Sequence, residues 1–114
     1  MDNECIFCRI INGDMKATFV HRDSDVVAIQ DVNPQAPVHL LVMPVVHIPR
    51  VLDLTAEHSS LLGRIFAVAA DLARERKLEE GFRLVVNNGL QAGQSVYHLH
   101  FHLIGGRGMT WPPG

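Results

Sequence analysis

The feature that most constrains the fold is an alternation of histidines and large apolar residues near the carboxyl end of the chain. It reads His98-Leu99-His100-Phe101-His102 and continues with two more apolar residues. Successive side chains of a β-strand point to opposite faces of its sheet, so a strand places all three imidazoles on one face and the apolar side chains in the core. A helix would scatter the histidines. We therefore predict a half-buried strand over residues 96–104.

Four further strands are predicted from β-rich runs that end at turn residues. They cover residues 18–21, 25–31, 38–43 and 82–87. The first two are joined by the polar turn cluster Arg22-Asp23-Ser24, which predicts a hairpin. Pro44 is expected to stop the third strand.

Two helices are predicted from apolar residues at three- and four-residue spacing. The long one covers about 55–77 and begins with Asp53 or Thr55 as its N-cap. A shorter repeat over 7–11 predicts an amino-terminal helix that ends at Gly13. One long helix on one face of a five-stranded antiparallel sheet, with a short helix before it, makes a two-layer α+β domain. Its other face is left for ligands or a partner.

Composition limits the classes of function. The chain has 114 residues, enough for a single domain, 1–114, that folds without disulfides or metals. Lysine and arginine total 10 against 12 acidic residues, and a net charge of −2 argues against a nucleic-acid partner. The longest apolar run, 36–46, is shorter than the ~20 residues of a membrane span. The first four residues carry no positive charge, unlike a secretory leader. We expect a cytoplasmic protein with no membrane partner.

Three histidines on one strand face are consistent with two kinds of catalytic site. Three imidazoles and a water can form a catalytic zinc site, or one imidazole can act as a nucleophile while the others supply hydrogen bonds. The preceding loop, residues 87–95, favours a phosphate ligand. It contains small residues, backbone N–H groups and the side chains of Asn87 and Ser95 as donors, a combination that suits an oxyanion.

These residues resemble the histidine triad family. The run 98–104 is similar to the family motif, and Gly93-Gln94-Ser95-Val96-Tyr97 precedes it as in the branch of histidine triad nucleotide-binding proteins. The resemblance extends from Cys5 to the terminal Trp111-Pro112-Pro113-Gly114. It implies a hydrolase that cleaves purine nucleotide conjugates at the alpha phosphate, with adenosine 5′-monophosphoramidate as the type of substrate.

The resemblance also implies individual roles. His100 would attack the alpha phosphorus and form a nucleotidyl-histidine intermediate, which water hydrolyses. Its other ring nitrogen would donate to the backbone carbonyl of His98. Ser95 would protonate the leaving group. The positions implied to hold the phosphate oxygens are Asn87, Gly93, Ser95 and His102.

Further positions are implied to bind the nucleoside. Asp31 resembles the carboxylate that accepts hydrogen bonds from the ribose hydroxyls. His39 resembles a fourth active-site histidine and is expected to contact His98 or His100. The apolar residues Ile29, Val32 and Leu40 are candidates for a slot around the base.

The motif Cys5-x-x-Cys8 is open to several interpretations by itself, including a redox pair and two buried thiols. In the zinc-binding members of the resembling superfamily two histidines complete the site, and these would be His47 and His98 here. The resemblance therefore implies a structural zinc ion, and no organic cofactor is expected.

Three classes of function stay open at this point. They are a nucleotidyl-histidine hydrolase, a zinc-dependent hydrolase that uses the three histidines, and a nucleotide-binding or scaffolding module with little activity. Within the superfamily, dinucleoside polyphosphates are an alternative substrate to phosphoramidates.

The resemblance implies a homodimer. In the family two subunits pair through the long helix and the fourth strand, which is 82–87 here. Trp111 is the single tryptophan and follows the histidine strand in a tail rich in glycine and proline. Since large aromatic residues usually anchor a contact, we expect Trp111 to be buried near the partner's substrate site.

Overall fold

The computed structural model describes residues 4–114. Residues 1–3, on which the expectation about a secretory leader partly rests, lie outside them. The helices and strands are α1 (Ile6–Ile11), β1 (Phe19–Arg22), β2 (Val26–Gln30), β3 (Val38–Pro44), α2 (Ser59–Glu75), β4 (Phe82–Val86) and β5 (Phe101–Gly105). Short 3-10 helices occupy Val51–Asp53, Ala56–His58 and Leu90–Ala92. No helix among residues 4–114 is long and apolar enough to span a membrane.

The five strands form one antiparallel sheet in the order β1-β2-β3-β5-β4. The predicted α+β class and the hairpin of β1 and β2 are confirmed. β5 lies between two neighbours, so His102 is opposite Leu41 of β3 and Val85 of β4. The histidine strand is thus held by hydrogen bonds on both sides, which fixes its position in the sheet.

The main core lies between the sheet and α2. Most of its buried side chains come from one face of β2, β3 and the segment 99–103 and from one face of α2: Val26, Ala28, Leu40, Val42, Leu99, Phe101, Leu103, Ile65, Val68, Ala69, Leu72 and Ala73. The predicted long helix is confirmed, but it begins at Ser59 because a capped 3-10 turn precedes it. There Thr55 caps the turn: its side chain accepts from the Glu57 N–H, and its own N–H donates to the His58 ring.

The opposite face of the sheet is partly covered by α1. Four residues of this helix are buried, namely Phe7, Cys8, Ile10 and Ile11, and they pack with Val27, Ile29, Leu41 and Met43 of the sheet. The expectation that this face is left for ligands or a partner is therefore wrong for the part under α1. Cys5, the N-cap of this helix, and Cys8 within it thus lie on the same face as the histidines.

The regular part of the last strand is shorter than predicted. Its ladder begins at Phe101, opposite Val42, whereas the alternation predicts a strand from residue 96. Pro44 ends β3 and has no N–H to donate, and the Leu99 N–H instead donates to the carbonyl of Ile48 (2.6 Å). The alternation of side chains continues through the irregular part, because Leu99 still packs in the α2 core.

Candidate active site and metal centre

His98 is fully buried and links three parts of the chain. Its Nε2 lies 2.8 Å from the Pro44 carbonyl, which only accepts, so this nitrogen carries the proton. Its Nδ1 therefore has a free lone pair, and it lies 3.5 Å from the Sγ of Cys5 and 3.6 Å from the Sγ of Cys8. Burial lowers the pKa of His98 to about 4. A neutral imidazole thus points its unprotonated nitrogen at two thiols.

His100 has the opposite arrangement of its proton. Its Nδ1 donates to the backbone carbonyl of His98 (2.7 Å), as the resemblance implies. Burial lowers the pKa of His100 below its ordinary value, so the ring is neutral at physiological pH and its Nε2 carries a lone pair. The ring of Phe7 lies edge-on to it, with 5.0 Å between the ring centroids. The geometry gives His100 a fixed ring with one unprotonated nitrogen.

His102 is oriented by a chain of hydrogen bonds that starts at a backbone amide. The Gln35 N–H donates to Nδ1 of His39 (3.0 Å), so His39 carries its proton on Nε2. That nitrogen lies 2.9 Å from Nδ1 of His102, which must accept. His102 therefore presents Nε2–H as a donor. Burial lowers the pKa of His102 to about 4, which keeps this ring neutral.

The contacts of His39 differ from the expectation. The resemblance predicts a contact with His98 or His100, but the His39 ring contacts His102 and also lies 3.3 Å from Oδ2 of Asp31. The other carboxylate oxygen of Asp31 accepts from the Asn33 N–H (2.8 Å). A carboxylate has further lone pairs, so Asp31 keeps acceptor capacity at the rim of the site.

The loop between β4 and β5 uses four of its backbone donors for its own hydrogen bonds. The N–H groups of Ala92 and Gln94 donate to the carbonyl of Gly89, and the Gly93 N–H is also bonded within the loop. The Gly89 N–H donates to the side-chain oxygen of Gln94 (2.8 Å). These four N–H groups are not free to bind an oxyanion. The prediction that the backbone N–H groups of this loop bind phosphate is therefore wrong for these four.

The other residues implied to hold phosphate lie near the ends of this loop. Asn87 is half-buried directly after β4, and Ser95 is exposed. Ser95 also lines a cavity of about 220 Å³ together with Cys5 and His47. Gly93 has a φ of 87°, and no atom lies within 4 Å of a Cβ built on it. Its backbone conformation, not a close approach of another group, therefore favours glycine there.

The three apolar candidates for a base slot have different surroundings. Ile29 is buried on the α1 face of the sheet, which is also the face of the histidines. Val32 is 98% exposed in the loop after β2. Leu40 belongs to the core under α2, on the opposite face, so it cannot line the same site.

The cysteine cluster has the composition and spacing of a tetrahedral zinc site. Single ligand atoms of Cys5, Cys8, His47 and His98 all lie within 4.8 Å of one another. The Nδ1 of His47 is 3.3 Å from the Sγ of Cys8. Ordinary zinc bond lengths in a tetrahedron place sulfur and nitrogen ligands about 3.5 Å apart, close to the distances found here. The residues present fit a zinc ion.

A second group of possible ligands, Asp31, His39 and His102, also lies within 4.8 Å. Here the nitrogen atoms that face one another already share a proton, because the Gln35 N–H forces His39 to protonate its Nε2. This group is therefore a hydrogen-bond relay. Nor do the three alternating histidines converge on one point: His98 faces the cysteines, whereas His102 faces His39.

Comparison with known proteins identifies the family. A family described as "Scavenger mRNA decapping enzyme C-term binding" matches residues 4–110. The solved structure of a HIT family hydrolase from Legionella pneumophila superimposes with a TM-score of 0.95 at 47% identity, and the match covers 97% of this chain and 100% of that one. The chain belongs to the histidine triad superfamily. The resemblance seen in the sequence is thereby confirmed.

Two relatives of this histidine triad protein carry names that bear on its chemistry. The purine nucleoside phosphoramidase of Escherichia coli K12 is 44% identical over 108 residues, 94% of this chain and 91% of that protein. The 14 kDa zinc-binding protein of Brassica juncea is 44% identical over 113 residues, 97% of this chain and 100% of that protein.

Some residues of the site were missed by sequence reasoning. Phe7 was assigned only to the core face of α1, yet its ring lies edge-on to both His98 and His100. The Gln35 N–H fixes His39 through the backbone, for which no side-chain signal exists. The burial of Gln94 had no signal in the sequence, because Gln91 in the same loop is the same residue type and is exposed.

The triad histidines are predicted to hold opposite tautomers. At neutral pH we expect His100 to be protonated at Nδ1 and His102 at Nε2, because the first donates to a carbonyl and the second accepts from His39. Heteronuclear NMR of the ring nitrogens measures this directly. His39→Ala should remove the preference of His102 alone, while His21→Ala on β1 should change neither. Identical tautomers at the two rings would contradict the assignment.

Proposed function

We propose that this histidine triad protein hydrolyses purine nucleotide conjugates at the alpha phosphate, with His100 as the nucleophile. The observation that carries the proposal is the hydrogen bond from His100 Nδ1 to the His98 carbonyl (2.7 Å), which leaves Nε2 unprotonated and fixed in direction. The 44% identity to a purine nucleoside phosphoramidase supports a phosphoramidate of the adenosine 5′-monophosphoramidate type as the substrate. A dinucleoside polyphosphate is the alternative.

In the first step Nε2 of His100 attacks the alpha phosphorus, and the bond from phosphorus to the leaving group breaks. The leaving nitrogen takes a proton from the Ser95 hydroxyl. The nucleotidyl-imidazole that forms is cationic, and its Nδ1–H stays bonded to the His98 carbonyl, which stabilises that charge. In the second step water attacks phosphorus, the bond to His100 breaks, and the proton lost by water restores Ser95.

The other residues bind and orient the nucleotide. His102 donates its Nε2–H to a phosphate oxygen, because the relay through His39 leaves that nitrogen protonated. Asn87 and Ser95 hold the remaining phosphate oxygens, and Asp31 accepts from the ribose hydroxyls. Gly93, whose own N–H is bonded within the loop, contributes only its turn conformation. Ile29 and Val32 contact the base, with the exposed Val32 covering it from the loop.

The first prediction concerns the nucleophile. His100→Ala should abolish turnover and leave nucleotide binding largely intact, because covalent catalysis needs the ring nitrogen. His100→Asn is the matched variant, since its amide keeps an N–H donor near the His98 carbonyl but offers no nucleophile. Replacing His102 or His98 should cost less, about 10²–10⁴-fold in rate. Adenosine phosphoramidate is the assay substrate.

A chemical trap completes this test. Wild-type enzyme quenched in base during turnover should yield one labelled peptide that contains His100, since phosphorylated histidine survives in base. A label on Ser95 would overturn the assignment. Binding without turnover by the wild type would instead support a scaffolding module.

We also propose that Cys5, Cys8, His47 and His98 hold a zinc ion. Zinc would tie α1 to the segment after β3 and to the start of the triad, so its contribution is structural. The donor set and the distances among its atoms support this, as does the name of the Brassica juncea relative. Thiols stay reduced in the cytoplasm, and the proposed site therefore accords with a cytoplasmic location.

The zinc proposal predicts about one zinc per chain in protein purified without a polyhistidine tag. Elemental analysis measures the ratio, and Cys5→Ser should lower it sharply. Ser24→Ala, at an exposed turn, is the control. Loss of zinc should lower the melting temperature clearly, whereas the rate of the chemical step should change little. Zinc content that does not respond to Cys5→Ser would contradict the site, and activity lost in strict proportion to zinc would favour a zinc-dependent hydrolase.

We infer that two such single-domain chains, each 1–114, form a homodimer through β4 and α2. β4 is an edge strand, and an exposed edge with apolar neighbours favours pairing. Phe66 of α2 and Phe82 of β4 are both exposed. Trp111 is 83% exposed on its own chain, so the expected burial requires a partner.

The dimer is checked by sedimentation at micromolar concentration, where a monomer would contradict it. Truncation before Met109 should leave the dimer intact but change the relative rates for phosphoramidates with different amines. An unchanged ranking of those amines would mean that the tail plays no part in substrate choice.

A further inference from the structure

Gln94 is a buried polar residue whose side chain is fully used. It is 3% exposed, and its Oε1 accepts from the Gly89 N–H (2.8 Å). Its Nε2 donates to the carbonyls of Pro49 (2.8 Å) and Val96 (3.1 Å). An amide group has two N–H donors, so both are engaged. One side chain therefore joins the start of the loop, its end and the segment after β3.

The segment after β3 supports this part of the chain at two points. Pro49 accepts from the Gln94 side chain, and the neighbouring Ile48 accepts from the Leu99 N–H (2.6 Å). The intervening residues, 95–98, are outside the regular ladder of β5. Without the ladder, their position depends on these supports at either end and on the bond from the His98 ring to the Pro44 carbonyl.

The residues on either side of Gln94 face outward. Gly93 and Ser95 are exposed, whereas Gln94 between them is buried. A polar side chain directed inward at this point fixes the backbone on which the Ser95 hydroxyl is carried. An apolar residue of similar size would fill the space but leave two carbonyls without their donor.

We propose that Gln94 is a positioning residue that holds the Ser95 hydroxyl in place to protonate the leaving group. This rests on the proposed function, in which the Ser95 proton moves to the leaving nitrogen as its bond to phosphorus breaks. Gln94 itself touches no reacting atom. Its loss should therefore slow only those substrates whose leaving group needs a proton.

The test compares two phosphoramidates of the same purine nucleoside. One has an alkylamine leaving group, which departs only when protonated, and the other has an arylamine with electron-withdrawing substituents, which needs little assistance. Gln94→Met should lower the single-turnover rate for the alkylamine by about 10²-fold, the lower end of the range for general acid catalysis. The rate for the arylamine should change much less.

Three variants complete the design. Gln94→Glu keeps the acceptor for the Gly89 N–H and the side-chain size but loses the donors to Pro49 and Val96, so it should show the same selectivity. Circular dichroism of both Gln94 variants checks that they fold. Ser95→Ala should give the same selective loss, and adding Gln94→Met to it should cost little more. Gln91→Met, at an exposed position of the same loop, is the matched control and should leave both rates unchanged.

Equal losses for the two leaving groups, or additive losses in the double variant, would overturn the positioning role and leave the proposed function standing. Wild-type protein that turns over neither substrate would contradict the proposed function, and the role of Gln94 with it. A selective loss in both Gln94 variants and in Ser95→Ala supports the proposal.

Discussion

The arrangement of the site depends on His98, which is buried and bonded in three directions. Its imidazole donates to the end of β3 and directs its lone pair at Cys5 and Cys8, the N-cap and a residue of α1, while its backbone carbonyl accepts from His100. A buried imidazole is stable only if both nitrogens have partners. The requirement ties the amino-terminal helix, the third strand and the proposed nucleophile to one residue.

Protons on the three triad imidazoles are set by groups that can only donate or only accept. The carbonyls of Pro44 and His98 accept, so His98 and His100 carry their protons on different ring nitrogens. The Gln35 N–H donates to His39, so His39 must donate in turn to His102. Since burial keeps the rings of His98, His100 and His102 neutral, the site offers one free nitrogen lone pair and one N–H donor without a change in net charge.

The two faces of the sheet separate stability from chemistry. The face under α2 is filled by aliphatic and aromatic side chains, and it holds the strands at fixed positions. The other face carries the histidines, with α1 covering one part of it. The loop before β5 has no strand ladder to hold its backbone. There the buried side-chain amide of Gln94 supports the backbone through hydrogen bonds to the carbonyls of Pro49 and Val96.

The sequence by itself determined the elements and the faces of the histidine strand and of α2, although Leu40 of β3 lies on the face opposite to the one expected. Alternation in 98–104 and the three- and four-residue spacing in α2 are local properties of strand and helix geometry, so they survive wherever the element is placed. Cys5-x-x-Cys8 and its partners were inferred from the family resemblance, and the structure brings all four side chains together. The resemblance also implied the bond from His100 to the His98 carbonyl, which is present.

Tertiary structure alone decided the contacts between distant segments. The ladder of β5 begins late, at Phe101, where the neighbouring β4 ends at Val86, a fact about the neighbour that the histidine segment does not contain. His39 meets His102 because the register of β3 and β5 sets which side chains are adjacent. The loop amides bond to one another through a turn whose geometry depends on Gln94. Hydrogen bonds between distant segments depend on the distance and direction between them in space, and the local pattern of residues along the chain does not encode these quantities.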